Sequence, residues 1–125
     1  MANENIQVNV TPFYLKDESV PEKNRYVFSY TVNIHNDGEH DAQLLSRHWI
    51  ITNGENLKTQ EVRGDGVIGQ QPVIPPGESY QYTSGTVMES PVGTMQGSYQ
   101  FTNEDGEFFD VNIPVFSLAA PLSIH

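Results

Sequence analysis

Residues 64–77 read Gly64-Asp65-Gly66-Val67-Ile68-Gly69-Gln70-Gln71-Pro72-Val73-Ile74-Pro75-Pro76-Gly77, and the fold turns on what this stretch can become. Its first six residues spell GxGxxG, the pattern of a dinucleotide-binding turn. That pattern works when the glycines let a helix start close to a pyrophosphate, whose charge the helix N-terminus stabilises. Here Pro72, Pro75 and Pro76 follow Gly69 within seven residues, and proline removes amide donors and clashes in a helix interior. Only 56 residues lie beyond Gly69, all of them strand-like, so a βαβ unit has nowhere to form. The chain after the glycines is expected to enter another sheet ladder.

Outward from this stretch the apolar period is two. Tyr26, Phe28, Tyr30, Val32 and Ile34 alternate with Ser29, Thr31 and Asn33, and Ile6, Val8 and Val10 alternate with Gln7, Asn9 and Thr11. Val111, Ile113 and Val115 repeat the pattern near the end. Alternation of β-branched and aromatic residues marks half-buried strands. The segment 44–52 is apolar on both parities (Leu44, Leu45, Trp49, Ile50, Ile51), which predicts a central strand covered on both faces with Trp49 at the core's centre.

Turn chemistry separates the runs at Asn36-Asp37-Gly38, Asn53-Gly54, Pro75-Pro76-Gly77 and Asp105-Gly106. Strands are expected near residues 5–15, 25–36, 43–53, 58–63, 78–86, 96–103 and 109–118, about seven in all. No segment of ten or more residues carries a proline-free apolar stripe of helical period. An all-β chain of two antiparallel sheets packed face to face follows, with a closed barrel as the alternative. Residues 1–125 read as one domain, without a repeat or a dividing linker.

Charge excludes several functions. The net charge is −10; all six basic residues lie at or before Arg63 beside nine acids, and residues 64–125 carry seven acids with no Lys or Arg. Nucleic-acid binding relies on Lys and Arg to displace counterions, so no nucleic-acid partner is expected, and anionic membrane surfaces are disfavoured likewise. The chain has no cysteine, which removes thiol catalysis and Cys-based metal sites. The start lacks a basic and then apolar leader, and the longest apolar run is three residues against the ~20 of a membrane helix. A soluble, cytoplasmic, acidic protein is expected, not inserted in a membrane.

Two other groups of residues invite chemistry. A glycine-rich loop between strands can gather backbone amides into an anion nest, with Arg63 adding a guanidinium to Gly64, Asp65, Gly66, Val67, Ile68 and Gly69. Asp65 and the lack of a following Lys-Ser/Thr weigh against that, and the simpler reading is tight turns at a sheet edge. In His35-Asn36-Asp37-Gly38-Glu39-His40-Asp41, the carboxylates of Asp37, Glu39 and Asp41 suit Mg2+, and Co2+ would accept His35 or His40. The twelve-residue calcium-loop spacing and HExxH are absent, and a polar turn explains the same residues. His48 reads as a strand histidine held in place; His125 completes the four. Ser84, Ser90 and Ser98 have no serine-hydrolase motif around them, and Glu104 and Asp105 fall in a hairpin turn. No catalytic residue is assigned, and no enzyme is required.

The stretch 60–97, with Arg63-Gly64-Asp65-Gly66, Gly69, Pro72, Pro76-Gly77, Tyr82-Thr83-Ser84-Gly85, Pro91, Gly93-Thr94-Met95 and Gly97, resembles the ApaG family, also called the DUF525 domain. Leu45-x-Arg47-x-Trp49-x-Ile51 and Asp110-Val111-x-Ile113-Pro114-x-Phe116 extend the resemblance over roughly residues 5–120. The resemblance implies a fibronectin type III, immunoglobulin-like β-sandwich and an association with Co2+ resistance and Mg2+ efflux. It also implies a module for protein binding, as related domains in F-box and polymerase-interacting proteins suggest. Three functions stand open on these residues. One is a non-catalytic interaction module meeting a partner protein at the glycine loop, with an exposed patch of Val67, Ile68 and Val73 and edge strands that could pair a homodimer. The second is a binder of a pyrophosphate-containing nucleotide such as diadenosine tetraphosphate at residues 63–69, and the third a direct, weak Mg2+ or Co2+ sensor. No other cofactor is expected.

Overall fold

The computed structural model describes residues 5–121; His125 and the first four residues lie outside them. Eight strands run in chain order: β1 (Ile6–Tyr14), β2 (Tyr26–Asn36), β3 (Ala42–Asn53), β4 (Thr59–Asp65), β5 (Val73–Ile74), β6 (Ser79–Met88), β7 (Val92–Asn103) and β8 (Phe108–Ala119). The only helical turns among the described residues are 3-10 turns at Lys16–Glu18 and Pro21–Lys23. None is long and apolar enough to cross a membrane.

One sheet has the order β1-β2-β6 and the other β4-β3-β7-β8, with β5 pairing β3; every pairing is antiparallel. The two sheets pack face to face, as the alternating runs predict, in a sandwich consistent with the fibronectin type III-like fold that the family resemblance implies. No helix rises from Gly69. The chain makes a turn and enters β5, a two-residue strand too short to leave an alternation in the sequence.

The core is built from the inward positions of both sheets. Phe28, Val32 and Ile34 of β2 meet Leu44 and Trp49 of β3, Tyr99 and Phe101 of β7 and Leu118 of β8, all at most 2% exposed. Trp49 sits at the centre as expected. Its ring meets Tyr30, Phe116 and Tyr99 edge-on, with centroids 5.3, 5.9 and 6.3 Å away. Such contacts add about 0.5–1.5 kcal/mol each beyond area burial.

Three expectations are corrected. The first is the doubly covered strand at residues 44–52. Its register slips between Leu44 and Ser46, a bulge at Leu45. One extra residue flips every later side chain to the other face. Ala42 and Leu44 point inward on even positions, while Trp49 and Ile51 pack against the core on odd ones. Apolar residues of both parities therefore serve one core, and Leu45 and Ile50 stay partly exposed on the outer face. The second is β7, which starts at Val92 and not near residue 96, with Gly93 paired to Asn53 and Leu118. The third is β4, which continues through Gly64 and Asp65, so the glycine motif opens inside a strand.

Candidate functional site

The glycine-rich turn is assembled from the end of β4. Gly64 pairs with Arg47 of β3, and the bulge at Leu45 has turned Arg47 onto the same sheet face as buried Tyr99, its partner on β7. The guanidinium lies over Gly64, where a Cβ would come within 2.7 Å of it. From there Arg47 Nη1 donates to the carbonyls of Asp65 (3.0 Å) and Gly66 (2.8 Å). Gly64 is thus a space requirement, and Arg47 is the clasp that fills the space.

Gly66 is required for another reason. Its φ is +62°, and a Cβ there would sit 2.2 Å from the carbonyl oxygen of Gln70. The turn it makes sends Val67 into the core at 1% exposure. Val67 and Gln70 then exchange both main-chain hydrogen bonds, at 2.8 and 2.9 Å, around the two central residues Ile68 and Gly69. Those two have φ of +50° and +73°, the left-handed pair that a type I′ hairpin turn demands. Gln71 Nε2 donates to the Leu45 carbonyl at 2.9 Å and closes the far side.

An anion nest needs several free amides aimed at one point. Here the Gly66 amide donates to the Leu45 carbonyl at 2.7 Å, and those of Val67 and Gln70 are bonded to each other's carbonyls, which leaves the Ile68 and Gly69 amides at the tip without a partner among the described residues. Arg47 faces carbonyls. Arg63 is highly exposed and reaches Glu61 at 3.4 Å. Beside the exposed Asp65, Gln70 and Gln71, the turn offers solvent an apolar tip: Ile68 is 58% exposed, and Val73 of β5 is 52% exposed. Val67 does not join them, because the turn at Gly66 drives its side chain inward; the expected patch reduces to Ile68 and Val73. A shallow depression lined by Asp41, Gln43, Val73, Thr102, Asn103 and Glu104 adjoins this side, and Gln43 Nε2 donates to the Gln71 carbonyl at 3.1 Å.

Beneath the clasp the Tyr82 and Tyr99 hydroxyls share a buried hydrogen bond. Burial raises the Tyr82 phenol to about 12, its bond to Tyr99 and the Arg47 charge opposing the shift. Tyr99 is pushed up further by burial and by Tyr82. Both stay protonated at neutral pH, so neither serves as a base or nucleophile there.

The acidic turn is organised by Asn36. Its amide, 1% exposed, donates to the carbonyls of His40 (2.7 Å) and Ile74 (2.8 Å), and its Oδ1 accepts from the Gly38 amide at 2.9 Å. Asp37 lies 4.0 Å from His35 Nε2, and His40 Nδ1 is bonded to Glu104 at 2.9 Å. Asp37, Glu39 and Asp41 are not brought together: among the described residues no group of three His, Asp or Glu is placed to hold a metal ion. His48 is held on the outer face by Glu61 at 2.8 Å, and this bond lowers the Glu61 pKa, the His48 charge and then Arg63 adding to it. Ser98 faces His48 across the β3–β7 ladder, whereas Ser90 is buried and bonds the Val92 carbonyl at 2.6 Å.

Sequence reasoning missed the parts played by Arg47 and Asn36. Their residue types were in view, but a bulge and a long-range contact with β5 give them their roles.

Comparison with known proteins places these features in a family. The ApaG domain matches residues 16–103. Protein ApaG of Pseudomonas aeruginosa (strain LESB58) is 57% identical over 120 residues, covering 96% of this chain and 94% of the relative. Protein ApaG of Pectobacterium carotovorum subsp. carotovorum (strain PC1) is 52% identical over 118 residues, 94% of each. The crystal structure of the putative ApaA protein from Bordetella pertussis superimposes with a TM-score of 0.90 at 52% identity, covering 94% of this chain and 95% of that one.

Proposed function

The chain belongs to the ApaG family, and from that premise we propose that it is a non-catalytic protein-binding module whose glycine-rich turn presents Ile68, with Val73 beside it, to a partner protein. The observation that carries this reading is the backbone of Ile68. A β-branched residue at φ +50° is strained by on the order of 1–3 kcal/mol where Gly or Asn would rest without cost. With 58% of its surface exposed, Ile68 receives little packing in return. The Arg47 clasp, the Val67 plug and the Gln71 bond hold a rigid turn behind it, and rigid apolar side chains on a preorganised support suit recognition. The association with Co2+ resistance and Mg2+ efflux that the family resemblance implies is then indirect, exerted through the partner.

The test separates stability from recognition. Ile68→Asn relieves the strain, since Asn tolerates the left-handed region, and raises unfolding stability by about 1 kcal/mol. The same variant used as bait in affinity capture from the native host loses a partner that the wild type retains. An unchanged set of captured proteins at equal bait folding refutes the proposal. Gly66→Arg and Val67→Asp are unsuitable baits, because each attacks the core of the turn.

A further inference from the structure

The sandwich has four outer edges, and three are protected against strand addition. β1 carries Pro12, β8 carries Pro114 and Asp110, and β4 is seven residues long with Glu61, Arg63 and Asp65. Proline, charge and shortness are the usual devices that blunt an edge. β6 has none of them. Its ten residues, Ser-Tyr-Gln-Tyr-Thr-Ser-Gly-Thr-Val-Met, contain no proline and no charge, and it ends the β1-β2-β6 sheet. Outside the β2 ladder, no main-chain N–H or C=O of Ser79–Met88 finds a partner among the described residues.

The face behind this edge is equally uncharged. Four rows run in register across the sheet: Gln7, His35, Ser79; Asn9, Asn33, Gln81; Thr11, Thr31, Thr83; and Phe13, Ser29, Gly85. Thr31 and Thr83 hydroxyls are bonded at 2.8 Å, and His35 to Ser79 at 2.7 Å. In a chain of net charge −10, no Asp, Glu, Lys or Arg falls on this grid. A cationic partner would be drawn to the acidic surfaces. This side is where a second copy of the same chain can approach without meeting like charge.

We propose that β6 pairs antiparallel with β6 of a second copy, joining the two three-stranded sheets into one of six strands. A two-fold axis makes the contact self-complementary. Centred on Thr83, it sets Thr83 against its own copy, Gln81 against the second copy's Gly85, and Ser79 against the second copy's Val87. Glu78 then faces the second copy's Met88, so the acids that flank the strand do not oppose each other. Pairing one edge buries less than the ~1,200 Å² of a standard interface, which gives a weak dimer with a Kd of roughly 10 μM to 1 mM. The inference is independent of the turn at Ile68, which lies on a different part of the chain.

The absence of cysteine makes the test clean. Thr83→Cys forms a disulfide-linked dimer on mild oxidation, since directly opposed strand residues lie within disulfide reach. Thr11→Cys, on the same face but at the protected edge, stays monomeric. Sedimentation equilibrium of the wild type shows mass rising with concentration, and Thr83→Lys, folded by circular dichroism, abolishes the rise. A wild type that stays monomeric to about 1 mM, with Thr83→Cys oxidising no faster than Thr11→Cys, overturns the proposal. That holds also if the edge instead takes up an extended segment of another protein.

Discussion

Alkali should unfold this protein through two tyrosines, and the size of the effect follows from their burial. An unfolded chain ionises tyrosine near pH 10, whereas folded Tyr82 holds its proton to about 12 and Tyr99 beyond that. Above pH 10 the unfolded state therefore binds fewer protons than the native one, and stability falls as pH rises. For Tyr82 the loss reaches about 2 kcal/mol by pH 12, and Tyr99, shifted further, adds somewhat more. Their sum of roughly 4–5 kcal/mol is comparable to the whole stability of a marginal domain. The control is Tyr82→Phe/Tyr99→Phe, which removes both hydroxyls together and so leaves neither without its partner. Urea midpoints measured between about pH 9 and pH 12 should fall steeply for the wild type and much less for the double variant. Lysine deprotonation is common to both proteins and cancels in the difference. Parallel curves would refute the reasoning, as would a near-ultraviolet titration in which all tyrosines ionise together near pH 10 in the folded protein.

Other consequences are smaller in scope. Asn36→Ala leaves the carbonyls of His40 and Ile74 and the Gly38 amide without their partner, and should cost about 2–4 kcal/mol in chemical denaturation. At the acid end, the bond from His48 holds Glu61 below its ordinary range. That contribution is present above the unfolded value of 4.5 and fades as pH falls below it, so Glu61→Gln should flatten acid unfolding slightly in this window.

The sandwich was legible because period-two alternation survives in nearly every strand. Proline at 72, 75 and 76 disposed of the helix that GxGxxG calls for, and the chain indeed turns back into strand. Three features lay beyond such reading. A bulge carries no residue signature at Leu45, so counting parity from Leu44 puts Arg47 on the outer face, whereas the extra residue puts it on the inner one. Val67 looks like a surface residue between glycines until the left-handed turn at Gly66 aims it at the core. Asn36 resembles an ordinary turn residue, because the Ile74 carbonyl that it binds is 38 positions away. Each depends on a backbone direction or a distant contact, and neither is written in local composition.

The glycine-rich turn spends the amides of Gly66, Val67 and Gln70 on the protein and exposes an apolar tip at Ile68. Amide-resolved NMR with hydrogen exchange tests it directly, with inorganic pyrophosphate and diadenosine tetraphosphate as titrants. The amides of Gly66, Val67 and Gln70 should exchange slowly and hold their positions at millimolar ligand. Fast exchange at these amides, with saturable shifts converging on residues 63–69, would contradict the account.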